Sequence, residues 1–258
     1  MTNKVSVYIP VLNEERKIED ALKTVAWADE IVVLDSGCTD QTIPIAISYG
    51  AKIVPHKFEG FGKLRNAGID ACSHDWILSI DADERCTPEL IQEIQSLLAN
   101  SPQHDAYWIP RRNWFMNRWI KHSGWYPDYC QPKLFKRQAL RYRDEDVVHE
   151  DWDVSGSIGY LKHDVLHFSY QQLSDIVRKI DNYAKLGADK LESKGKSGGF
   201  FKGLSRGLWA FIRIYFIKLG FLDGKAGFMI ALFNFETTFY RYVMRDWKNQ
   251  HWDKPPKV

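Results

Sequence analysis

The sequence predicts an α/β protein with a mostly parallel sheet flanked by helices, followed by a C-terminal helical region. Three observations support this fold class. Apolar strand-like runs alternate with helical periodicity near the start of the chain, a pattern typical of right-handed parallel sheets. One run, Trp76–Ile80, is apolar enough to be buried on both faces and ends at Asp81, Asp83 and Glu84. The last third of the chain carries apolar segments interrupted by basic residues.

The first half of the chain is predicted to follow a β-α-β-α-β order. A strand over Lys4–Pro10 leads to a helix opening at residues 13–15, because Ile18, Leu22 and Val25 recur at helical spacing. No Gly-x-Gly-x-x-Gly follows this strand, which disfavours ordinary dinucleotide binding. The later elements are expected to be strands at Glu30–Leu34, Lys52–Pro55 and Trp76–Ile80, and helices at Thr42–Tyr49, up to Ala71 and at Pro88–Leu98.

The acidic cluster Asp81-Ala82-Asp83 follows the most buried of these strands. Burying a neutral polar group without a hydrogen-bond partner costs about 2–7 kcal/mol, and burying an unpaired carboxylate costs more. In open α/β sheets, ligands bind at the carboxyl ends of the strands. Two carboxylates at this spacing can share one divalent cation, and that cation can hold a diphosphate. The alternative is a polar exit from the strand that caps the next helix.

Charge is distributed unevenly along the chain. The net charge is +2 overall, but −6 over residues 1–170 and +8 over residues 171–258. The small overall charge indicates no nucleic-acid partner, and the division indicates an acidic catalytic part and a basic tail. Four widely spaced cysteines, with no Cys-x-x-Cys, are interpreted as free thiols in a reducing compartment.

Four ordered motifs within about 85 residues resemble the inverting glycosyltransferases of family 2, which have the GT-A fold. The whole chain is most similar to the lipopolysaccharide inner-core β-glucosyltransferases within that family. The motifs are Val5-Ser-Val-Tyr-Ile-Pro-Val-Leu-Asn-Glu-Glu, Ile31-Val-Val-Leu-Asp-Ser-Gly-Cys-Thr-Asp, Arg65-Asn-Ala-Gly and Asp75-Trp-Ile-Leu-Ser-Ile-Asp-Ala-Asp-Glu, joined later by Val148-His-Glu, Leu166-His-Phe-Ser-Tyr and Gly220-Phe-Leu-Asp-Gly-Lys-Ala-Gly-Phe.

The resemblance implies a nucleotide-sugar site along the carboxyl edge of the sheet. Asp35 would hydrogen-bond the uracil, Asp81 would meet the ribose or the metal, and Asp83 would hold the metal, Mg²⁺ or Mn²⁺. The other residues expected to line this site are Pro10, Asn13, Glu14, Lys63, Arg65 and Ala82.

The resemblance also implies a catalytic base after an acceptor-side strand. We expect Glu150 in that role, with Asp151 as the alternative, within a richly charged stretch that otherwise reads as a solvated loop. His167 follows an apolar segment, and two interpretations stay open: a structural histidine, or a contact to the metal or phosphate.

The function expected from the resemblance is metal-dependent inverting transfer of glucose from a UDP-sugar to a lipopolysaccharide core or another lipid-linked saccharide. One alternative is a sugar-1-phosphate nucleotidyltransferase, although the Gly-rich, Arg-containing loop of such enzymes is missing after the first strand. The other is a non-catalytic carbohydrate- or membrane-binding protein of the same fold.

Three domains are expected: a nucleotide-sugar-binding half (1–110), an acceptor-binding and catalytic half (111–170) rich in aromatic and basic residues, and a helical C-terminal region (171–258). Ser193–Gly203 is interpreted as a hinge, followed by helices at Leu204–Leu222 and Ala226–Met244. Both helices are too interrupted to span a bilayer, so we expect them to lie on the inner face of the cytoplasmic membrane. The alternative is packing onto the catalytic domain or a homodimer. The protein would then be cytoplasmic and peripheral on that membrane.

Overall fold

The computed structural model describes residues 3–129, 131–144, 151–170 and 172–248. Up to Lys136, the helices and strands in chain order are β1 (Val5–Val11), α1 (Ile18–Val25), β2 (Glu30–Asp35), α2 (Thr42–Ser48), β3 (Lys52–Pro55), α3 (Phe61–Ala71), β4 (Trp76–Ser79), β5 (Glu84–Cys86), α4 (Pro88–Ala99), β6 (Ala106–Trp108), β7 (Arg111–Phe115), β8 (Arg118–Trp119) and β9 (Pro132–Lys136).

The remaining elements are β10 (Leu140–Tyr142), β11 (Trp152–Val154), β12 (Ile158–Tyr160), β13 (Val165–Tyr170), α5 (Leu173–Ser193), α6 (Phe200–Ile212) and α7 (Gly224–Trp247). A π-helical turn at Arg213–Ile217 and a 3₁₀ turn at Gly220–Asp223 join α6 to α7. No helix in the described ranges is long and apolar enough to cross a bilayer.

The described chain forms two compact units. Unit 1 contains the residues up to Arg112 and those of Asp128–His167, and unit 2 contains Asn113–Pro127 and the residues from Phe168 onward. The strands β7 and β13 each begin in unit 1 and end in unit 2. The predicted domains are contiguous stretches of sequence, whereas each unit is assembled from separate stretches.

Unit 1 is built on a seven-stranded sheet of order β12-β6-β9-β4-β1-β2-β3. The pairs β4-β1, β1-β2, β2-β3 and β12-β6 are parallel, and only β9 runs antiparallel to its neighbours. A mixed α/β fold with a mostly parallel sheet is therefore confirmed. Because β1, β2 and β4 are parallel, the loops that follow them emerge at the same edge of the sheet.

Helices cover both faces of this sheet. Alternate β1 residues such as Val7 and Ile9 pack with Leu22 of α1 and Ile94 of α4, whereas Tyr8 packs into the cluster that includes Leu64 of α3. This two-sided burial explains the nearly unbroken apolar runs of β1, β2 and β4. Helix α1 begins at Ile18 and not at residue 13, because Glu14–Lys17 forms a turn closed by the Glu14 carbonyl.

Unit 2 is largely helical. The predicted hinge at Ser193–Gly203 is wrong in its second part, because α6 already begins at Phe200. The predicted helix Leu204–Leu222 is also wrong in extent: the α-helix ends at Ile212, and the chain turns between Lys218 and Asp223. Helices α6 and α7 pack closely at two glycines, since a Cβ atom on Gly203 would lie 2.9 Å from the Phe239 carbonyl oxygen.

Candidate functional site

The loops after β1 and β2 are tied together at the carboxyl edge of the sheet. Asn13 adopts a left-handed conformation with φ of 55°, and its side-chain oxygen accepts a hydrogen bond from the Thr39 backbone N–H at 2.8 Å. The backbone N–H of Glu14 donates to Oγ1 of Thr42 at 2.8 Å. The predicted residues Asn13 and Glu14 therefore fix the shape of this edge, and Pro10 lies in β1 directly before it.

Asp35 ends β2 and is fixed by the turn that follows it. Its Oδ1 accepts hydrogen bonds from the backbone N–H groups of Gly37 at 3.0 Å and Cys38 at 2.7 Å. Burial favours the neutral acid, but these hydrogen bonds outweigh it and lower the pKa of the carboxyl. Asp35 is therefore a pre-oriented, ionised acceptor at the sheet edge.

Asp81 is held by Arg65, which reaches it from α3. Nη2 of Arg65 lies 3.0 Å from Oδ1 of Asp81, and Nη1 donates to Oγ of Ser79 at 3.1 Å. Arg65 can do this because α3 approaches the sheet closely: a Cβ atom on Gly68 would lie 2.7 Å from the Tyr8 ring. The Arg65-Asn-Ala-Gly68 motif thus combines the cation with the glycine that lets its helix come near.

A buried ion pair lies beneath the acidic loop. Nζ of Lys133, from β9, is 2.6 Å from Oε2 of Glu84, and the two side chains are 1% and 0% exposed. The same Glu84 oxygen accepts the backbone N–H of Asp81 at 3.0 Å, and the backbone N–H of Glu84 donates to the Asp81 carbonyl. Glu84 therefore closes the turn that carries Asp81 and Asp83.

The positive groups around the loop keep its carboxylates ionised. Burial raises the pKa of Asp81, but the charges of Arg65 and Lys133 outweigh this and hold that pKa far below its usual range. Burial alone would lower the pKa of Lys133, but Glu84 and Asp81 raise it. Sequence reasoning missed Lys133; a lysine inside the apolar run Pro132–Phe135 was the available signal, since buried lysines are nearly always paired.

Asp83 faces His167, which lies in β13, the strand that pairs with β5. Oδ2 of Asp83 lies 3.6 Å from Nε2 of His167, and both side chains are mostly buried. Although burial raises the pKa of Asp83, the hydrogen bond and charge of His167 lower it overall. The structure thus brings together Arg65, Asp81, Asp83 and His167, with Ala82 buried between the two aspartates.

Other predicted residues lie in more ordinary surroundings. Nζ of Lys63, in the first turn of α3, is 3.1 Å from the exposed carboxylate of Glu59, which precedes that helix. The backbone carbonyl of Asp151 accepts a hydrogen bond from the Arg143 N–H, and its side chain is exposed. Glu150 lies outside the described residues, so its predicted role stays a prediction.

The donor atoms near the acidic loop determine how a divalent cation could be held there. The described ranges contain no group of three or more His, Cys, Asp and Glu side chains arranged to hold a metal ion. However, Mg²⁺ is usually held by one or two carboxylates together with substrate phosphates. Two atoms that each lie about 2.1 Å from one cation are at most about 4.2 Å apart. Asp83 and His167 meet that limit and fit a cation whose other ligands come from a substrate.

Comparison with solved structures supports the fold. TarS of S. aureus superposes with a TM-score of 0.50 and 18% identity, over 73% of this chain and 40% of TarS. At that identity the likeness shows the fold alone. The architecture is thus a GT-A-like α/β fold with polar loops at the carboxyl edge of its sheet.

Sequence comparisons identify the family. The model described as Glycosyl transferase family 2 matches residues 6–160, and this chain belongs to that family. A glycosyltransferase of Rickettsia bellii is 30% identical, covering 90% of this chain and 82% of the relative. The lipopolysaccharide core biosynthesis glycosyltransferase LpsC of Rhizobium meliloti is 26% identical, covering 93% and 94%. The protein is a glycosyltransferase, and the nucleotidyltransferase and non-catalytic alternatives are set aside.

Proposed function

We propose that this glycosyltransferase moves glucose from UDP-glucose to a saccharide of the lipopolysaccharide core or another lipid-linked glycan, with inversion at the sugar carbon. The assignment of the donor rests on the loop at the end of β4, where Asp81 and Asp83 lie at the carboxyl edge of the sheet. His167 of β13 lies beside Asp83. The acceptor half is supported by likeness along nearly the whole chain to LpsC, whose name refers to lipopolysaccharide core biosynthesis.

The charge balance of the loop supports a divalent cation. Four cationic side chains around the loop are matched in number by four carboxylates: Arg65, Arg85, Arg111 and Lys133 against Asp81, Asp83, Glu84 and Asp128. A loop of this kind has no surplus positive charge for a diphosphate. A bound Mn²⁺ or Mg²⁺ would supply it and offset the negative charge of UDP as the leaving group.

The protein's own groups have distinct tasks in this proposal. Asp83 and His167 would hold the cation. Asp81, fixed by Arg65, would meet the ribose or the cation, and Glu84 closes the turn through the Asp81 backbone N–H. Asp35, ionised and held by the Cys38 backbone N–H at the end of β2, would accept a hydrogen bond from the uracil. Such positioning before the substrate arrives lowers the cost of organising the transition state.

The acceptor hydroxyl needs a base, since inversion proceeds by one displacement in which the acceptor oxygen attacks as UDP leaves. We propose Glu150, with Asp151 as the alternative, to take that proton. A base on the acceptor side, opposite the leaving group, matches a single displacement without a protein nucleophile.

The test is donor turnover without acceptor. Full-length protein is incubated with UDP-glucose and Mn²⁺, and slow UDP release is followed. We expect release with Mn²⁺ or Mg²⁺ and loss of release in EDTA, restored by added metal. Release from another nucleotide sugar but not from UDP-glucose would overturn the donor assignment. Full release in EDTA would overturn the metal assignment.

A further inference from the structure

Unit 2 exposes an unusual concentration of large apolar side chains. Half of the 22 exposed large hydrophobic residues in the described chain lie between residues 200 and 228. Proteins rarely leave contiguous apolar surface uncovered unless it binds something. These residues are Phe200, Phe201, Leu208, Trp209, Ile212, Phe216, Ile217, Leu219, Phe221, Leu222 and Phe228.

Helix α6, together with the π-helical turn Arg213–Ile217 that continues it, has two apolar faces with different neighbours. Gly203, Gly207 and Ile214 are buried, and the two glycines pack against Phe235 and Phe239 of α7. At about 100° per residue, a second set of apolar residues falls on the opposite side of the helix. We call this set the outer face; it consists of Phe201, Leu208, Trp209, Ile212 and Phe216.

A row of basic residues borders the outer face. Lys202, Arg206 and Arg213 fall within about 40° of one another around the helix, beside the apolar stripe. Lys218 and Lys225 follow in the turn and in α7. The single acidic residue between positions 200 and 228, Asp223, is buried and accepts hydrogen bonds from the backbone N–H groups of Lys121 and His122. The exposed charge here is therefore entirely positive.

We propose that the outer face docks on a membrane surface that contains anionic lipid. An amphipathic helix with aromatic and aliphatic residues on one side and basic residues beside them binds in the head-group region, where each basic residue contributes through the negative surface potential. A second copy of this chain is the less suitable occupant. In a two-fold dimer the same patch faces itself, so a surface bordered by positive charge alone would find no negative partner across the interface.

This inference deepens the proposed function, because it names the surface on which a lipid-linked acceptor is met. It would place the enzyme peripherally on the cytoplasmic face of the inner membrane. Docking is inferred from exposure and charge in unit 2, independently of the donor site.

The test is flotation of the full-length protein with vesicles and no substrate. Vesicles of phosphatidylethanolamine and phosphatidylglycerol in equal parts are compared with vesicles of phosphatidylcholine. We expect the protein to float with the anionic vesicles, less in high salt, and much less with phosphatidylcholine. Replacing Lys202, Arg206 and Arg213 together by Gln should lower partitioning about a hundredfold, at about fivefold for each charge.

Apolar contacts are tested by Trp209→Glu combined with Ile212→Glu, which should lower partitioning at least about a hundredfold. The matched control is Val177→Glu on α5, at a residue that is 66% exposed in the same unit; it should float like wild type. Circular dichroism confirms that each variant is folded.

Three results would overturn the proposal: no flotation of wild-type protein with either vesicle, equal flotation of the double variant and wild type, or a wild-type dimer that fails to float and that the double variant makes monomeric. The UDP-release assay, run in solution on the same samples, separates these failures from a failure of the donor site. A protein that releases UDP but never floats retains the proposed function and loses the docking surface.

Discussion

The loop after β4 and the outer face of α6 both depart from the usual pattern in which charged residues are exposed and apolar residues are buried. In the loop, Glu84 and Lys133 are at most 1% exposed although both are charged. On the outer face, Phe201 is 82% and Trp209 is 54% exposed although both are apolar. Neither arrangement is explained by the stability of the fold. A buried ion pair often stabilises a protein no more than apolar residues of similar size would, and apolar area that stays exposed contributes no hydrophobic stabilisation.

The two regions differ in the partners that their unusual side chains have. Each charge in the loop has named partners within unit 1, so that region is rigid and pre-organised. Basic residues lie only along the border of the outer face, and its apolar side chains are exposed to solvent. This difference indicates a site built to hold a small charged ligand in one case and a surface built to meet an extended apolar one in the other.

The largest expected effect separates chemistry from docking. Glu150→Gln keeps the shape of the side chain and removes the proton acceptor, so turnover should fall by about 10²–10⁴ while UDP-glucose affinity and flotation stay unchanged. Steady-state kinetics with a saccharide acceptor measures this. Normal turnover of Glu150→Gln with a dead Asp151→Asn would move the base to Asp151. Normal turnover of both would place the base elsewhere.

The buried pair gives the next largest effect. Lys133→Met leaves Glu84 buried without its cation, which should cost about 3–5 kcal/mol of unfolding free energy. Urea unfolding measures the loss, and Glu84→Gln in the same chain should recover part of it. The control is Lys23→Met, which removes the exposed pairs with Glu19 and Asp20 on α1 and should leave the midpoint nearly unchanged. Equal midpoints for Lys133→Met and wild type would contradict the role given to this pair.

The smallest effect concerns the outer face. Trp209→Glu should change the unfolding free energy by no more than about 0.5 kcal/mol, because the side chain is exposed and substitutions at such positions rarely matter for folding. The same urea titration measures it. A large loss of stability would mean that Trp209 contributes to the stability of the fold. The outer face could then not be described as a surface that is free of a structural role.

Much of unit 1 was predictable from local patterns. The apolar runs of β1, β2 and β4 and the helical periodicity between them predict a parallel sheet, and parallel strands place Asp35 and Asp81 at one edge. The contact between Arg65 and Asp81 was not predicted. The family resemblance placed both residues in one site, but a spacing of 16 residues carries no geometry by itself.

Other features depend on long-range topology. Lys133 reaches Glu84 because β9 inserts antiparallel between β6 and β4, an arrangement that no local pattern of residues 132–136 specifies. The end of α6 was misjudged for a different reason. Apolar periodicity continues through the π-helical turn, and the chain changes direction only at Leu219, which has a φ of 55°, and the 3₁₀ turn after it.

We propose above that the loop carrying Asp83 binds the diphosphate of a UDP-sugar through a divalent cation. The most direct measurement is calorimetric titration of UDP into full-length protein with Mn²⁺ and with EDTA, for wild type and Asp83→Asn. We predict that EDTA weakens UDP binding to wild type at least about tenfold, and that Asp83→Asn binds weakly with or without metal. UDP binding to both proteins with equal affinity in Mn²⁺ and in EDTA would contradict the claim.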